Sequence, residues 1–191
     1  MSKVGIFGGT FDPIHFGHLI TAQYVLEIRK LDEIIFMPNN VSPHKIGMKA
    51  ASTQDRLEML KLALEPVPKF TFSTFEIEKG DVSYTVDTLR ELKSEYENIE
   101  LIIGLDNLLV FDKWYEPDEV ADLAHLVVLK RESELSNEPN RFFEIAELIN
   151  TPVIEISSTE VRERVQKGLP IDFLVPEKVK EYILDKKLYT L

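Results

Sequence analysis

Val4-Gly5-Ile6-Phe7-Gly8-Gly9-Thr10-Phe11-Asp12-Pro13-Ile14-His15-Phe16-Gly17-His18 is the stretch of sequence that decides the fold. A short apolar run leads through adjacent glycines into two histidines at the start of an amphipathic segment. This order is the opening strand, turn and helix of an α/β fold. Glycines let backbone N–H groups approach a ligand, helix starts attract anions, and imidazoles donate to phosphate oxygens. The stretch therefore predicts a polyphosphate site.

Short apolar runs alternate with amphipathic segments along the rest of the chain. The runs that predict strands are residues 4–7, 33–37, 101–103, 126–129 and 153–156. The segments that predict helices are residues 17–29, 53–64, 85–96, 118–123, 142–148 and 159–166. Residues 70–77 indicate a further strand with a bulge near Ser73, and a last helix is expected from about Pro176. The alternation predicts an α/β fold with a doubly wound, mainly parallel sheet and helices on both faces.

Length and composition set the outer limits. Of 191 residues, 44% are hydrophobic, so we expect one domain over residues 1–191, with a C-terminal helical segment of about residues 157–191 packed on it. The net charge of -11 argues against nucleic acid or an anionic membrane as a partner. Cysteine is absent, which excludes disulfides and cysteine metal sites. Without a recognisable signal peptide or membrane span, we expect a cytoplasmic protein, either a monomer or a homo-oligomer.

One long polar connection follows the second predicted strand. Pro38-Asn39-Asn40-Val41-Ser42-Pro43-His44-Lys45-Ile46-Gly47-Met48-Lys49 has the length of a lid or binding loop. Ligands of open α/β sheets bind outside the carboxyl ends of the strands, where this loop and the first glycine turn both begin. We therefore expect the loop to face the same crevice as His15 and His18.

Taken alone, the two histidines permit more than one interpretation. His15 and His18 lie three residues apart beside unsatisfied N–H groups of a helix start, but ordinary polar residues are also common there. A metal site is a poorer account, because only Asp12 adds a ligand type at a suitable local spacing. A dinucleotide fingerprint would need G-x-G-x-x-G after the first strand, and a P-loop would need Gly-Lys-Ser/Thr. The Gly8-Gly9 turn and Pro13 favour phosphate binding instead.

A second motif, Ile156-Ser157-Ser158-Thr159-Glu160-Val161-Arg162, lies far downstream. Ser157 and Glu160 have the spacing of a capping box, which by itself is a structural role. Arg162 lies four residues after Ser158, and helical side chains lean towards the N-terminus, so its guanidinium can reach an anion bound by the serine hydroxyls. Capping explains the serines but not the position of the arginine. The motif therefore favours a second group of phosphate ligands.

Together the two motifs resemble a known pair. The segment from Gly9 to His18 resembles the (T/H)xGH signature of the nucleotidylyltransferase superfamily, and the downstream motif resembles its ISSTxxR partner. Within this superfamily of Rossmann-like folds, the chain is most similar to bacterial nicotinate-nucleotide adenylyltransferases, from about Lys3 to Tyr189. Further matching segments are Pro43-His44-Lys45, Ser83-Tyr84-Thr85 with Asp87-Thr88, Gly104-Leu105-Asp106, and Lys113-Trp114-Tyr115. The first motif indicates only the superfamily, whereas the spaced set indicates the family.

The resemblance implies transfer of AMP from ATP to nicotinic acid mononucleotide in NAD biosynthesis, with deamido-NAD and pyrophosphate as products. It implies catalytic roles for His15, His18 and Arg162. The ATP-binding residues that it implies are Gly8, Gly9, Thr10, Phe11, Lys45, Ser157, Ser158, Thr159 and Arg162. The nicotinate-nucleotide-binding residues that it implies are Thr85, Gly104, Asp106, Trp114 and Tyr115. Mg2+ would arrive on the ATP phosphates, without a protein ligand.

From the residues alone, the middle of the chain leaves alternatives open. Gly104-Leu105-Asp106 is as typical of a turn at a strand end as of a ribose site, and a lone tryptophan such as Trp114 is usually a packing residue. Thr85 resembles the family position that binds the nicotinate carboxylate, and a helix start there would favour an acid over a neutral amide.

Three other functions stay open. A related transferase, such as a pantetheine-phosphate adenylyltransferase or a cytidylyltransferase, would share both phosphate motifs but not the combined Ser83-Tyr84-Thr85 and Trp114-Tyr115 set. An enzyme specific for nicotinamide mononucleotide would keep nearly all of these features. A non-catalytic ATP sensor would keep the fold, but the intact His15, His18 and Arg162 argue against it.

Overall fold

A six-stranded parallel sheet forms the centre of the protein. The computed structural model describes residues 2–39, 50–80, 84–130 and 140–190. The strands are β1 (Lys3–Gly9), β2 (Glu33–Pro38), β3 (Phe70–Phe72), β4 (Asn98–Gly104), β5 (His125–Lys130) and β6 (Glu147–Asn150). Their order is β3-β2-β1-β4-β5-β6, and every neighbouring pair is parallel. The doubly wound α/β fold expected from the sequence is confirmed.

Helices connect the strands and cover both faces of the sheet. The α-helices are α1 (Phe16–Arg29), α2 (Thr53–Leu64), α3 (Phe75–Glu78), α4 (Thr85–Leu92), α5 (Leu105–Leu109), α6 (Pro117–Leu123), α7 (Ser158–Gln166) and α8 (Glu177–Asp185). Short 3-10 turns lie at Phe111–Lys113 and Arg141–Glu144. Buried residues of α1, α2, α7 and α8 pack on one face, and those of α4, α5 and α6 pack on the other.

The strands are apolar because both of their faces are buried. Along β2, Ile34 and Phe36 belong to the hydrophobic cluster on the first face, whereas Ile35 and Met37 belong to the cluster on the second. Side chains of a strand alternate between faces, so a strand covered on both sides needs a continuous apolar run. This is the pattern that allowed β1, β2, β4 and β5 to be predicted.

The predicted strand at residues 153–156 is wrong. The strand at this edge is β6, which pairs with β5 from Val127↔Glu147 to Lys130↔Asn150. Residues 151–157 form a connection outside the sheet, because β6 already occupies the open edge of β5. Their apolar side chains instead line a cleft beyond the end of the sheet.

Two further predictions also differ from the structure. Residues 75–77 belong to helix α3 rather than to an extension of β3. Pairing of β3 with β2 stops at Phe36↔Phe72, and Pro38 at the end of β2 has no N–H group to extend the ladder. The helix predicted at residues 142–148 is a 3-10 turn followed by β6, since residues 147–150 complete the sheet.

The direction of the strands decides where a ligand can bind. The order reverses between β1 and β4, which lie side by side at the centre of the sheet. At such a switch point the connections from neighbouring strands leave in opposite directions and open a crevice. Within the described ranges, no helix has the length and apolar character needed to cross a membrane.

Candidate active site

A cleft of about 890 Å³ opens at the carboxyl ends of β1 and β4. This volume lies within the range of small-molecule sites, about 300–1,000 Å³. We name its two walls the histidine side, residues 8–18 and 157–162, and the tryptophan side, residues 84–90 and 104–116. The residues nominated from the sequence that line it are Gly8, Gly9, Thr10, His15, His18, Thr85, Gly104, Asp106, Trp114, Ser157 and Ser158.

The glycine turn after β1 combines an open glycine with a packed one. A Cβ atom on Gly8 would meet no atom within 4 Å, so the space beside this backbone belongs to the cleft. A Cβ atom on Gly9 would lie 2.8 Å from the ring of Phe11, which is buried and has a left-handed backbone with φ of 49°. Gly9 therefore lets the turn close, and Gly8 leaves the backbone accessible to a ligand. Phe11 itself packs in the core.

His15 and His18 stack at the start of α1. His15 is the N-cap residue, and its backbone N–H donates to Nδ1 of His18 at 3.3 Å. The two ring centroids are 3.6 Å apart, with an interplanar angle of 26°. Because Nδ1 of His18 accepts this hydrogen bond, the proton of the neutral ring lies on Nε2, which becomes a donor. The histidine side thus presents a hydrogen-bond donor of defined tautomer.

Gly17, between the two histidines, brings two distant segments into contact. A Cβ atom at this position would lie 2.9 Å from Nδ1 of His15 and 3.3 Å from the backbone oxygen of Ile156. A side chain would therefore push the start of α1 away from the segment that leads into α7. The missing side chain lets both motifs contribute to one wall.

The second motif begins α7, as its capping pattern predicted. Ser157 is the N-cap residue, and its Oγ accepts the backbone N–H of Glu160 at 3.1 Å. Ser158 Oγ donates to the backbone oxygen of Pro13 at 2.9 Å, which joins α7 to the first motif. The start of α7 therefore faces the same cleft as the start of α1.

Arg162 lies behind the wall rather than on its surface. The residue is 2% exposed, and its Nη1 donates to the backbone oxygen of Asp12 at 2.6 Å. Its Nη2 donates to Oγ1 of Thr159 at 3.1 Å. In this arrangement Arg162 holds the turn of the first motif through its hydrogen bond to the Asp12 backbone. Direct contact of Arg162 or Thr159 with an ATP phosphate stays a prediction.

Residues of the tryptophan side line the same cleft as the histidines. Thr85 is the first residue of α4 and lines the cleft, and the ring of the preceding Tyr84 packs at a tilt against Tyr115 with centroids 4.5 Å apart. Trp114 lines the cleft and packs on the buried Phe111 at 4.9 Å. Tyr115 is 51% exposed and lies outside the lining. The indole therefore combines a packing role with a face available to a ligand.

The end of β4 supplies a carboxylate to the same wall. Gly104 is the N-cap residue of α5, and Asp106 in the first turn of this helix is exposed to the cleft. A Cβ atom on Gly104 would lie 2.3 Å from Oδ1 of Asp106. The glycine thus leaves room for the carboxylate beside the strand end.

Exposed ion pairs hold the tryptophan side together. Arg90 of α4 contacts Glu116 at 2.6 Å, Glu119 at 2.5 Å and Asp87 at 3.1 Å. Glu116 follows Tyr115 and has a left-handed backbone with φ of 50°. Hydrogen bonds to Glu119 and Glu116 raise the pKa of Arg90. The guanidinium therefore links the loop that carries the indole to the helix that carries Thr85.

Some cleft residues were given no role from the sequence, although Thr88 lies in a matching segment and Asn39 in the long polar connection. Glu76 and Thr88 line the cleft, and Thr88 Oγ1 donates to Oε1 of Glu76 at 3.0 Å. Burial raises the pKa of Glu76, and the hydrogen bond from Thr88 opposes this rise. Asn39 and Lys130 also line the cleft, each just beyond or at the end of a strand. The position of Asn39 and Lys130 at strand ends was a signal that could have found them. Glu76 was missed because residues 75–77 were predicted to belong to a strand.

On the histidine side, the polar groups of the cleft suit phosphate oxygens better than a bare metal ion. The polar groups there are imidazoles, hydroxyls and backbone N–H groups, which donate hydrogen bonds. Across the described ranges, no three His, Cys, Asp or Glu residues are grouped so that they could hold a metal ion. Lys45 and Ser83, which the sequence motifs include, lie outside the described residues.

Comparison with protein families agrees with this geometry. The cytidylyltransferase-like family model matches residues 6–164, a range that includes both cleft motifs. The nicotinate-nucleotide adenylyltransferase of Bacillus subtilis is 42% identical over 191 residues and is covered to 99%, as is this chain. The probable nicotinate-nucleotide adenylyltransferase of Caldicellulosiruptor bescii is 44% identical over 194 residues, with 98% of each chain covered.

Solved structures share the fold at lower identity. The nicotinic acid mononucleotide adenylyltransferase of Plasmodium falciparum, complexed with NaAD, superimposes with a TM-score of 0.76 at 20% identity. The alignment covers 99% of this chain and 98% of that one. The same enzyme complexed with APC gives a TM-score of 0.74 with the same coverage. At this identity the similarity concerns the fold alone.

Proposed function

The chain belongs to the nicotinate-nucleotide adenylyltransferase family, within the cytidylyltransferase-like family, and we propose that it transfers AMP from ATP to nicotinic acid mononucleotide. A phosphate oxygen of the mononucleotide bonds to the α-phosphorus of ATP. The bond from that phosphorus to the oxygen bridging to the β-phosphate breaks. The products are deamido-NAD and pyrophosphate, as one step of NAD biosynthesis. The observation that carries the proposal is that the two phosphate motifs meet in one cleft that Thr85 and Trp114 also line.

The histidine side would align the polyphosphate and stabilise its charge. The attacking group is already an anionic phosphate, so the transfer needs positioned donors more than a strong base. We assign His15 and His18 to the α-phosphate, together with Thr10 and the backbone of residues 8–11. Ser157 and Ser158 at the start of α7, with Thr159, Arg162 and Lys45, would serve the β and γ phosphates. The open space beside Gly8 supports close approach of this backbone.

The tryptophan side would select the acceptor. We assign the nicotinate carboxylate to Thr85 and the first turn of α4, because a helix N-terminus favours an anion. The indole of Trp114 would stack on the pyridine ring, with Tyr115 beside it, and Asp106 next to Gly104 would accept the ribose hydroxyls. An acid is then preferred over the neutral amide of a nicotinamide nucleotide.

Three accompanying features complete the proposal. Mg2+ would enter bound to ATP, because this ion keeps several waters and relies on substrate phosphates, and it would neutralise part of their charge. Residues 1–191 would act as one domain, since α8 packs on α2 and both cleft walls come from the same chain. The formation of a homo-oligomer stays a prediction. We place the reaction in the cytoplasm, where ATP is available.

The experiment is a pyrophosphate-release assay with ATP, Mg2+ and one acceptor at a time. We expect product with nicotinate mononucleotide, a kcat/KM at least about tenfold lower with nicotinamide mononucleotide, and none with phosphopantetheine. Mass spectrometry of the product identifies deamido-NAD. If nicotinate mononucleotide gives no pyrophosphate, the assignment is wrong. Product with phosphopantetheine alone would identify the related transferase, and ATP binding without turnover would identify a sensor.

A further inference from the structure

Tyr189, which follows α8, lies beneath the glycine turn. Tyr189 is 4% exposed, and its phenol donates to Oδ1 of Asp12 at 2.7 Å. Asp12 is 1% exposed and belongs to the first motif, although it does not line the cleft. A hydrogen bond between residues 177 positions apart therefore ends directly under the proposed phosphate site.

Asp12 connects segments from four parts of the chain. The backbone N–H of Ala51 donates to the same Oδ1 at 3.1 Å. Arg162 donates to the backbone oxygen of Asp12 at 2.6 Å, and its Nη1 lies 4.0 Å from Oδ2. With the phenol of Tyr189, these contacts join the first motif to the start of α2, to α7 and to the C-terminal end. The backbone position of residues 8–12 depends on all of them.

A second buried guanidinium reinforces the turn. Arg56 of α2 is 1% exposed, and its Nη1 donates to the backbone oxygens of Thr10 at 2.8 Å and Asn39 at 3.0 Å. Charged hydrogen bonds in a buried setting are strong and directional, so each one that is removed shifts the groups it holds. The buried contacts under the turn therefore act as one network.

We propose that Tyr189 is a positioning residue of the ATP-phosphate site, acting through Asp12 on the backbone of residues 8–12. The inference rests on the proposed function of this cleft. Catalytic geometry must be held within about 0.5 Å, and the groups that do so commonly lie one layer behind the reacting atoms. Tyr189 is itself outside the cleft lining, so its effect on ATP must pass through the turn.

The phenol of Tyr189 is suited to act as a hydrogen-bond donor that does not titrate. Burial raises the pKa of Tyr189, and the neighbouring Asp12 carboxylate raises it further. The hydroxyl therefore keeps its proton at neutral pH, where it can donate to Asp12. No titration of this group is needed for the positioning effect.

Tyr189→Phe tests the proposal, because it removes the hydroxyl and keeps the ring in the core. We expect the KM for ATP to rise about three- to tenfold, as loss of one hydrogen bond to a charged group allows. The KM for nicotinate mononucleotide should stay unchanged. A lower Tm with an unchanged KM for ATP would show a purely structural role and overturn the proposal.

Tyr182→Phe is the matched control. The phenol of Tyr182 in α8 donates to Oδ1 of Asp55 at 2.9 Å, a similar bond that does not touch the glycine turn. We expect this variant to lose stability while keeping the wild-type KM for ATP. An equal rise in both variants would show general loosening of the C-terminal segment and contradict a specific role for Tyr189.

Calorimetric titration with ATP alone separates the inference from the proposed function. If the wild-type protein releases no pyrophosphate, the proposed function fails, whereas weaker ATP binding by Tyr189→Phe than by Tyr182→Phe would still support the positioning role. Equal ATP affinity in the two variants would overturn the positioning role even if the wild-type enzyme is active.

Discussion

The two walls of the cleft are built from different interactions. On the histidine side, Asp12 and Arg162 are almost completely buried and are held by hydrogen bonds between distant segments. On the tryptophan side, Arg90 and its acidic partners are exposed, and so are Tyr84 and Tyr115. Buried polar networks are strong and specific, whereas exposed ion pairs are weakened by water and salt. We therefore expect the histidine side to be more rigid and the tryptophan side to be more adaptable.

This difference agrees with the two tasks of the proposed reaction. Donors to a transferring phosphate must be in place before the reaction, which a buried network achieves. An acceptor nucleotide must enter, be selected and leave, which a wall held by surface contacts allows. Substitutions on the histidine side should therefore affect ATP and turnover, and those on the tryptophan side should affect the acceptor.

The largest effect is expected at His18. Replacement by alanine removes a donor whose tautomer is set by the backbone N–H of His15, and turnover should fall about a hundredfold to a thousandfold. Steady-state kinetics and circular dichroism would measure turnover and folding together. His125→Ala is the control, since this exposed histidine pairs with Glu147 far from the cleft lining. Near-normal turnover in His18→Ala would show that His18, the donor assigned on the histidine side, does not contribute to the chemistry.

The two neighbouring glycines should respond differently to alanine. At Gly8 the added methyl enters open cleft space, so the KM for ATP should rise about tenfold with little change in Tm. At Gly9 the methyl meets the buried ring of Phe11, and the fold should lose about 1–3 kcal/mol of stability. Thermal unfolding and ATP titration distinguish the two effects. Unchanged ATP affinity in Gly8→Ala would contradict close backbone approach.

A smaller, acceptor-specific effect is expected at Arg90. Arg90→Ala frees the loop that follows Trp114 from α4, and the KM for nicotinate mononucleotide should rise about two- to fivefold while the KM for ATP stays constant. Arg141→Ala, which breaks the exposed pair with Asp118, serves as the control. A rise in both KM values would show that the two walls are not independent.

The smallest effect concerns stability and pH at Glu76. Because burial raises the pKa of this carboxyl above its ordinary value of 4.5, folding favours the protonated form, and stability falls as pH rises from that value through the raised pKa. Glu76→Gln should therefore raise Tm at neutral pH, on the order of 2 °C, and the gain should vanish below about pH 4.5. Exposed Glu91→Gln is the control. A gain that persists at low pH would exclude this explanation.

Prediction from the sequence succeeded where local chemistry decides the structure. Residues 53–64 were predicted as a helix and form α2, and Ser157 caps α7 as its spacing indicated. It failed where two apolar segments competed for one sheet edge, since residues 153–156 resemble a strand but residues 147–150 pair with β5. Strands that pair are distant in the chain, so short-range sequence patterns do not show which of the two segments pairs with β5.

The same division applies to the cleft. Its two motifs could be recognised because phosphate binding needs glycines, hydroxyls and imidazoles close together in the chain. Glu76 could not be nominated from the pattern, because its position in the cleft follows from how α3 and α4 pack beside the sheet. The burial of Arg162 also depends on packing, since its partner Asp12 is 150 positions away.

The sequence by itself determined the alternation of strands and helices, the two phosphate motifs and the family, because these are properties of residue type and local spacing. Only the tertiary structure decided which edge strand completes the sheet, how closely Gly17 lets α1 approach Ile156, and which buried groups hold the turn. The physical reason is that burial and long-range hydrogen bonds, such as the bond from Tyr189 to Asp12, arise only when distant segments meet.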